Sequence, residues 1–148
     1  MTTMFLLLAS CGVFAVSATP RTVLVTGATG RTGKLLYAQL KARSDIAEVR
    51  ALVRASANAT NKARATLNCT KCDASEGVFY GDVTIPSTLE EPMAGVDTLA
   101  ITVGVVSLNE TLIKAVEFIG VENQAIIHTI VLPAGSGFAR PLDSIFAK

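Results

Sequence analysis

Short β-branched and apolar runs alternate along this chain with stretches whose apolar residues recur at helical spacing. Thr22-Val23-Leu24-Val25-Thr26 is a compact apolar run ending at a glycine and reads as a buried strand. Residues 31–43 follow as a helix: Leu36 and Leu40 share one face, and Lys41 and Arg43 suit the negative end of its dipole. Val49 to Val53 predicts a second strand, and 55–75, rich in small and polar residues, a loop with some helix. Gly77 to Tyr80 predicts a third strand, Gly81 to Thr84 a turn, and Pro86 to Met93 a short helix with proline near its first turn. Asp97 to Val103 is apolar enough for a strand buried on both faces. Ser107-Leu108-Asn109-Glu110 has the form of a capping box, and Leu112, Val116 and Ile119 continue it at helical spacing. Ile126 to Leu132 predicts a fifth strand. Strands alternating with helices predict an α/β fold of three layers with a mostly parallel sheet of about five strands.

Composition narrows the partners. The 148 residues suit one domain, half of them are apolar, 17% are charged, and the net charge is +1. Such a balance gives no footprint for nucleic acid, and the absence of Trp leaves little for base stacking. No stretch predicts a stable membrane span, which needs roughly 20 apolar residues. Met4 to Val16 is nonetheless almost continuously apolar and is followed by Ser17 and Ala18, the form of a signal-peptide core with a cleavage site, although no Lys or Arg precedes it. Residues 1–18 are therefore expected to be a targeting segment for the secretory route, whether to the exterior or to an organelle such as a plastid. If the start is misassigned, the expectation is a cytoplasmic protein. Residues 19–148 are expected to form the folded, partial domain. Asn58, Asn68 and Asn109 each stand in Asn-x-Ser/Thr form, which fits export. Cys11 falls in the targeting segment. Cys69 and Cys72 are unspecialised loop cysteines or, in an exported chain, a disulfide. With no second cysteine pair and His128 as the only histidine, no metal site is expected.

The residues that carry chemistry are Gly27, Ala28, Thr29, Gly30, Arg31, Thr32 and Gly33, a Gly-x-x-Gly-x-x-Gly turn between a predicted strand and a predicted helix. Glycine permits the sharp turn and the close approach of backbone to a pyrophosphate. The free N–H groups of the helix start then point at the anion. A Rossmann-type NAD(P)-binding fold follows as the expectation. An NAD-preferring site places an acid about 20 residues beyond the glycines. Here the second strand ends Leu52-Val53-Arg54. Arg54, with Arg31 in the turn, suits a 2′-phosphate and favours NADP(H), with NAD(H) the alternative.

Val23 to Gly33 resembles the opening of the atypical short-chain dehydrogenase/reductases, the NmrA-like and epimerase-like group that binds NAD(P). Ala51-Leu52-Val53-Arg54 resembles that family's second strand with its phosphate-binding arginine. Gly81-Asp82-Val83-Thr84 resembles the turn in which Asp82 and Val83 would contact adenine. Gly95 to Leu99 with Ile101-Thr102 resembles the approach to the fourth strand, whose end, Thr102 and Val103, would lie along the cofactor. The resemblance covers roughly residues 22 to 132 and implies a Rossmann domain truncated at its C-terminal side, since the family continues into a sixth strand and a substrate-binding portion.

The resemblance also implies a hydride-transferring oxidoreductase of unknown substrate, but it does not supply the catalytic pair. Tyr37-x-x-x-Lys41 has the family's spacing on the wrong helix, directly after the phosphate turn. Ser136 follows the predicted fifth strand without a Tyr-Lys partner, and His128 sits in an apolar run as a structural residue. Two further readings stay open: a non-catalytic NADP(H)-binding module, acting as redox sensor or scaffold, and an inactive fragment. A sheet ending at strand five would also expose an edge suited to self-association.

Overall fold

A computed structural model describes residues 21–131. The apolar run at Met4 to Val16, Cys11 and Ser136 lie outside the described residues. The first strand, β1 (Arg21–Thr26), leads through the glycine turn into α1 (Arg31–Lys41), and β2 (Ile46–Arg54) into α2 (Ala59–Leu67). A short 3-10 turn precedes β3 (Val78–Gly81), a second precedes the single-turn α3 (Glu90–Met93), and β4 (Thr98–Ile101) follows. A continuous helical stretch then runs through α4 (Glu110–Ile113), a π-helical segment (Lys114–Ile119) and α5 (Gly120–Val131).

The four strands form one parallel sheet in the order β3-β2-β1-β4. Strand alternation explains the layers. Val25, Val49 and Ala51 face α1 and join Ala28 and Tyr37 in one cluster, which Val53 extends toward Ala59 and Ala63 of α2. Leu24 and Leu52 face the other way, onto Leu89, Met93, Val96, Val116 and Ile127. Leu24, Val25, Leu89 and Met93 are fully buried. Each such side chain contributes about 1.5–3 kcal/mol relative to exposure. Asp97 docks β4 onto the start of β1: its carboxylate accepts the Thr22 N–H at 2.8 Å, and its N–H donates to the Thr22 carbonyl at 3.0 Å.

The three-layer α/β expectation holds, with four strands among the described residues in place of about five. Ile126 to Val131, expected in the fifth strand, belong to α5. A short apolar run does not by itself distinguish a strand from a buried helical turn. Here no breaker separates it from the preceding helix: Gly120 keeps helical angles. Gln124 and Ile127 are buried, three residues apart as on a helix face. His128 accordingly stands on a helix and not a strand, and its Nε2 is buried without a hydrogen-bond partner. The N-cap of α4 is Asn109, whose Oδ1 accepts the Leu112 N–H at 3.2 Å, while Ser107 Oγ accepts the Asn109 N–H. The predicted stripe of Leu112, Val116 and Ile119 is broken, because the π-helical segment shifts the register and only Val116 is buried. Cys69 and Cys72 form a disulfide.

Candidate functional site

The glycine turn is built by two close approaches. Gly27 has φ +72°, and a Cβ there would lie 2.8 Å from the Thr102 carbonyl oxygen. At Gly33 a Cβ would collide with the Gly27 carbonyl oxygen and the Thr102 hydroxyl. The turn therefore presses α1 onto the ends of β1 and β4 as no other residue type permits. Gly30 is the N-cap of α1, and no side chain caps that helix. Its leading N–H groups keep their hydrogen-bonding capacity at the positive end of the dipole. By contrast, α4 is capped by Asn109.

A cavity of about 220 Å³ opens at this point, over the carboxyl ends of all four strands. Gly27, Thr29 and Gly30 line it from the turn after β1, and Leu52 and Arg54 from the end of β2. Gly81 lines it from the end of β3, Asp82 and Val83 just after that strand, and Thr102, Val103 and Gly104 after β4. Lys62 reaches it from α2. This is the place where an open parallel sheet changes direction, between β1 and β4, and where such sheets take ligands. Burial pushes the Asp82 carboxyl up. Hydrogen bonds from the Thr84 hydroxyl (2.7 Å) and N–H (2.8 Å), with the nearby Arg54 charge, more than offset this and hold it below the usual carboxylate range. Thr102 is pinned to β1, its N–H and Oγ1 both donating to the Thr26 carbonyl, at 3.0 and 2.6 Å.

The residues singled out from sequence thus divide. Gly27, Thr29, Gly30, Arg54, Asp82, Val83, Thr102 and Val103 come together around one cavity. Ala28 and Gly33 are buried beneath it, while Arg31 and Thr32 are exposed and outside its lining. Lys62, Leu52, Gly81 and Gly104 were missed. Leu52 and Gly81 sit one or two residues from residues that were found. Lys62 gave no signal, because nothing in the small polar stretch around it fixed where a helix would start.

Comparison with known proteins agrees with this geometry. Residues 27–142 match the model of a family described as NAD(P)H-binding. The chain belongs to that NAD(P)H-binding family. Among curated relatives, it is 42% identical over 80 residues to sanguinarine reductase of Eschscholzia californica, a match spanning 54% of this chain and 26% of the relative. It is 37% identical over 87 residues to an uncharacterised chloroplastic protein of Arabidopsis thaliana, spanning 59% and 24% respectively. The matched part of the chain thus spans about a quarter of the length of these relatives. Among solved structures, a triphenylmethane reductase from Citrobacter sp. superposes with a TM-score of 0.51 at 25% identity, over 73% of this chain and 33% of that one. Family membership makes this a nicotinamide dinucleotide-binding domain. No helix among the described residues is long and apolar enough to cross a membrane.

Neither tyrosine of the chain lines the cavity. Tyr37 is buried under α1 with Lys41 over its ring at 5.7 Å. Its phenol is raised above its usual range, first by burial and then by the Glu76 carboxylate, the opposite of what a proton-transferring phenol needs. Tyr80 donates its hydroxyl to the Cys72 carbonyl at 2.8 Å. Cys69 and Cys72 lie near Glu76, a grouping of metal-ligating types. Their sulfurs are bonded to each other, and the Glu76 carboxylate accepts the N–H groups of Thr70, Lys71 and Cys72.

Proposed function

We propose that the cavity binds NADP(H) in preference to NAD(H), and that the chain is the cofactor-binding part of a reductase of the atypical short-chain dehydrogenase/reductase type, NmrA-like by its opening motif. The observation that carries the preference is the end of β2: Arg54 stands where an NAD site needs an acid, and Lys62 adds a second cation to the same wall. Gly27 to Gly33 and the uncapped start of α1 would hold the pyrophosphate, with Arg31 and Thr32 on its outer rim. Arg54 and Lys62 would hold the 2′-phosphate, Asp82 and Val83 the adenosine, and Thr102 and Val103 the nicotinamide half. The fit rests on the cradle itself, since a Cβ at Gly27 or Gly33 would close the turn. When bound, the cofactor supplies a hydride; the chain's residues bind and orient it. The names of the sanguinarine and triphenylmethane reductases support a reductase. That neither tyrosine reaches the cavity favours the second reading, a non-catalytic NADP(H)-binding module.

Residues 1–18 are proposed as a targeting segment, and the folded domain as the remainder. Entry to the secretory route, with an organelle as one destination, fits the apolar N-terminus and the exposed sequons at Asn58, Asn68 and Asn109. Self-association through an exposed sheet edge is proposed as well; among the described residues β4 is one of the two edge strands.

Titration calorimetry on the full chain tests the cofactor reading. NADPH is expected to bind more tightly than NADH, and Arg54→Ala to cost about 1.5–3 kcal/mol of NADPH affinity, as for a lost hydrogen bond to a charged group, while NADH binding stays unchanged. Equal affinities, or an Arg54→Ala variant that binds NADPH as the parent does, would overturn it.

A further inference from the structure

The two walls of the cavity come from opposite edges of the sheet: Asp82 and Val83 follow β3, and Thr102 to Gly104 follow β4. With β2 and β1 between them, no ladder hydrogen bond joins the two walls directly. One helical stretch, the π-helical segment running into α5, touches both. On the β4 side, Glu117 Oε1 accepts the Val105 N–H at 2.9 Å, immediately beyond Gly104. On the β3 side, Asn123 Nδ2 donates to the Val83 carbonyl at 3.0 Å. Between them, Gly120 lets the helix approach Val83, for a Cβ at Gly120 would lie 2.8 Å from Val83 Cγ2. Val116 anchors the same stretch in the core. The π-helical turn sits where these contacts diverge; an extra residue per turn re-aims side chains, and such turns occur frequently at functional sites.

We infer that Glu117 and Asn123 are positioning residues which, from one helix, fix the two walls of the dinucleotide cavity relative to each other. Thr102 already ties the β4 segment to β1 at its near end, and Glu117 holds its far end. Val103 and Gly104 are thereby suspended between two fixed points. Glu117 is exposed, so the bond serves the placement of that segment more than the burial of a core. The inference rests on the dinucleotide reading of the cavity and extends it to residues that do not line it.

The test uses the full chain with Glu117→Ala, Glu117→Gln and Asn123→Ala, titrated with NADPH and with 2′,5′-ADP, which carries only the adenosine half. Amide exchange at Val105 is followed in parallel without ligand. Glu117→Ala is expected to speed Val105 exchange and to weaken NADPH about tenfold, the scale of one charge-assisted hydrogen bond, with 2′,5′-ADP unchanged. Glu117→Gln, which keeps an acceptor, restores most of both. Asn123→Ala weakens both ligands. Unchanged Val105 exchange in Glu117→Ala, or equal losses for NADPH and 2′,5′-ADP in that variant, would overturn the inference. A parent chain that binds neither ligand while Val105 responds to Glu117 would instead overturn the cofactor reading and leave only the Glu117 bond.

Discussion

Asp82 shows how single residues set the chemistry of the cavity. Both Thr84 hydrogen bonds fall on Oδ1, so they fix the orientation of the carboxyl as well as its acidity. Because the folded state lowers this carboxyl below its usual value, it stabilises the fold above the unfolded value of about 4. That contribution is lost as pH falls through the folded value. Thr84→Val removes one donor and is expected to move the Asp82 titration, read by carboxyl NMR shifts, up toward the ordinary range and to narrow the acid window of stability. A titration unmoved by that substitution would show that the Thr84 hydroxyl does not govern it. Arg54 acts at the same scale: its place at the cavity was legible in sequence because the end of β2 is fixed by its apolar run. Arg31, the first residue of α1, is exposed and stands outside the cavity lining, a placement the sequence alone does not give.

At the scale of elements, the glycine turn and the four strands were readable because each rests on a local rule: a β-branched run, a sharp turn, a helix start. The α5 helix was not, since the apolar run from Ile126 satisfies strand and buried helix alike, and continuation of the helix from Glu110 decided it. The segment from Asn68 to Cys72 also needed the structure. Asn68 and Cys72 both take positive φ, at 54° and 57°, and the disulfide closes a loop of sequence separation 3. A cross-link over so short a loop removes little unfolded-state entropy, so full reduction is expected to cost roughly 2 kcal/mol or less. Denaturant unfolding with and without a dithiol reductant measures this. Loss of the fold on reduction would mean instead that the cross-link, and not the Val53–Ala63–Val78 cluster, holds α2 in place.

On the whole-molecule scale, the sheet places every lining segment at one end. The second cavity, of about 230 Å³, lies at the other, beside Ile46 and Gly77 where β2 and β3 begin. Beyond β4 the described surface is apolar and open: Ile101, Val106, Leu108 and Phe118 are all exposed. Among the described residues β4 is an edge strand, and an exposed edge with apolar side chains is expected to recruit another chain. Sedimentation velocity over a range of concentrations should therefore show a monomer–dimer equilibrium, and a single monomeric species throughout would contradict it.

A dinucleotide seated in the cavity over the carboxyl ends of the strands would perturb the amides that line it, which chemical-shift mapping of the full chain with NADPH reads residue by residue. Shifts are expected to concentrate at Gly27, Gly30, Val83 and Gly104, with Glu48 and Gly77 at the opposite end unmoved. Shifts centred on Glu48 and Gly77, or none at saturating NADPH, would contradict it.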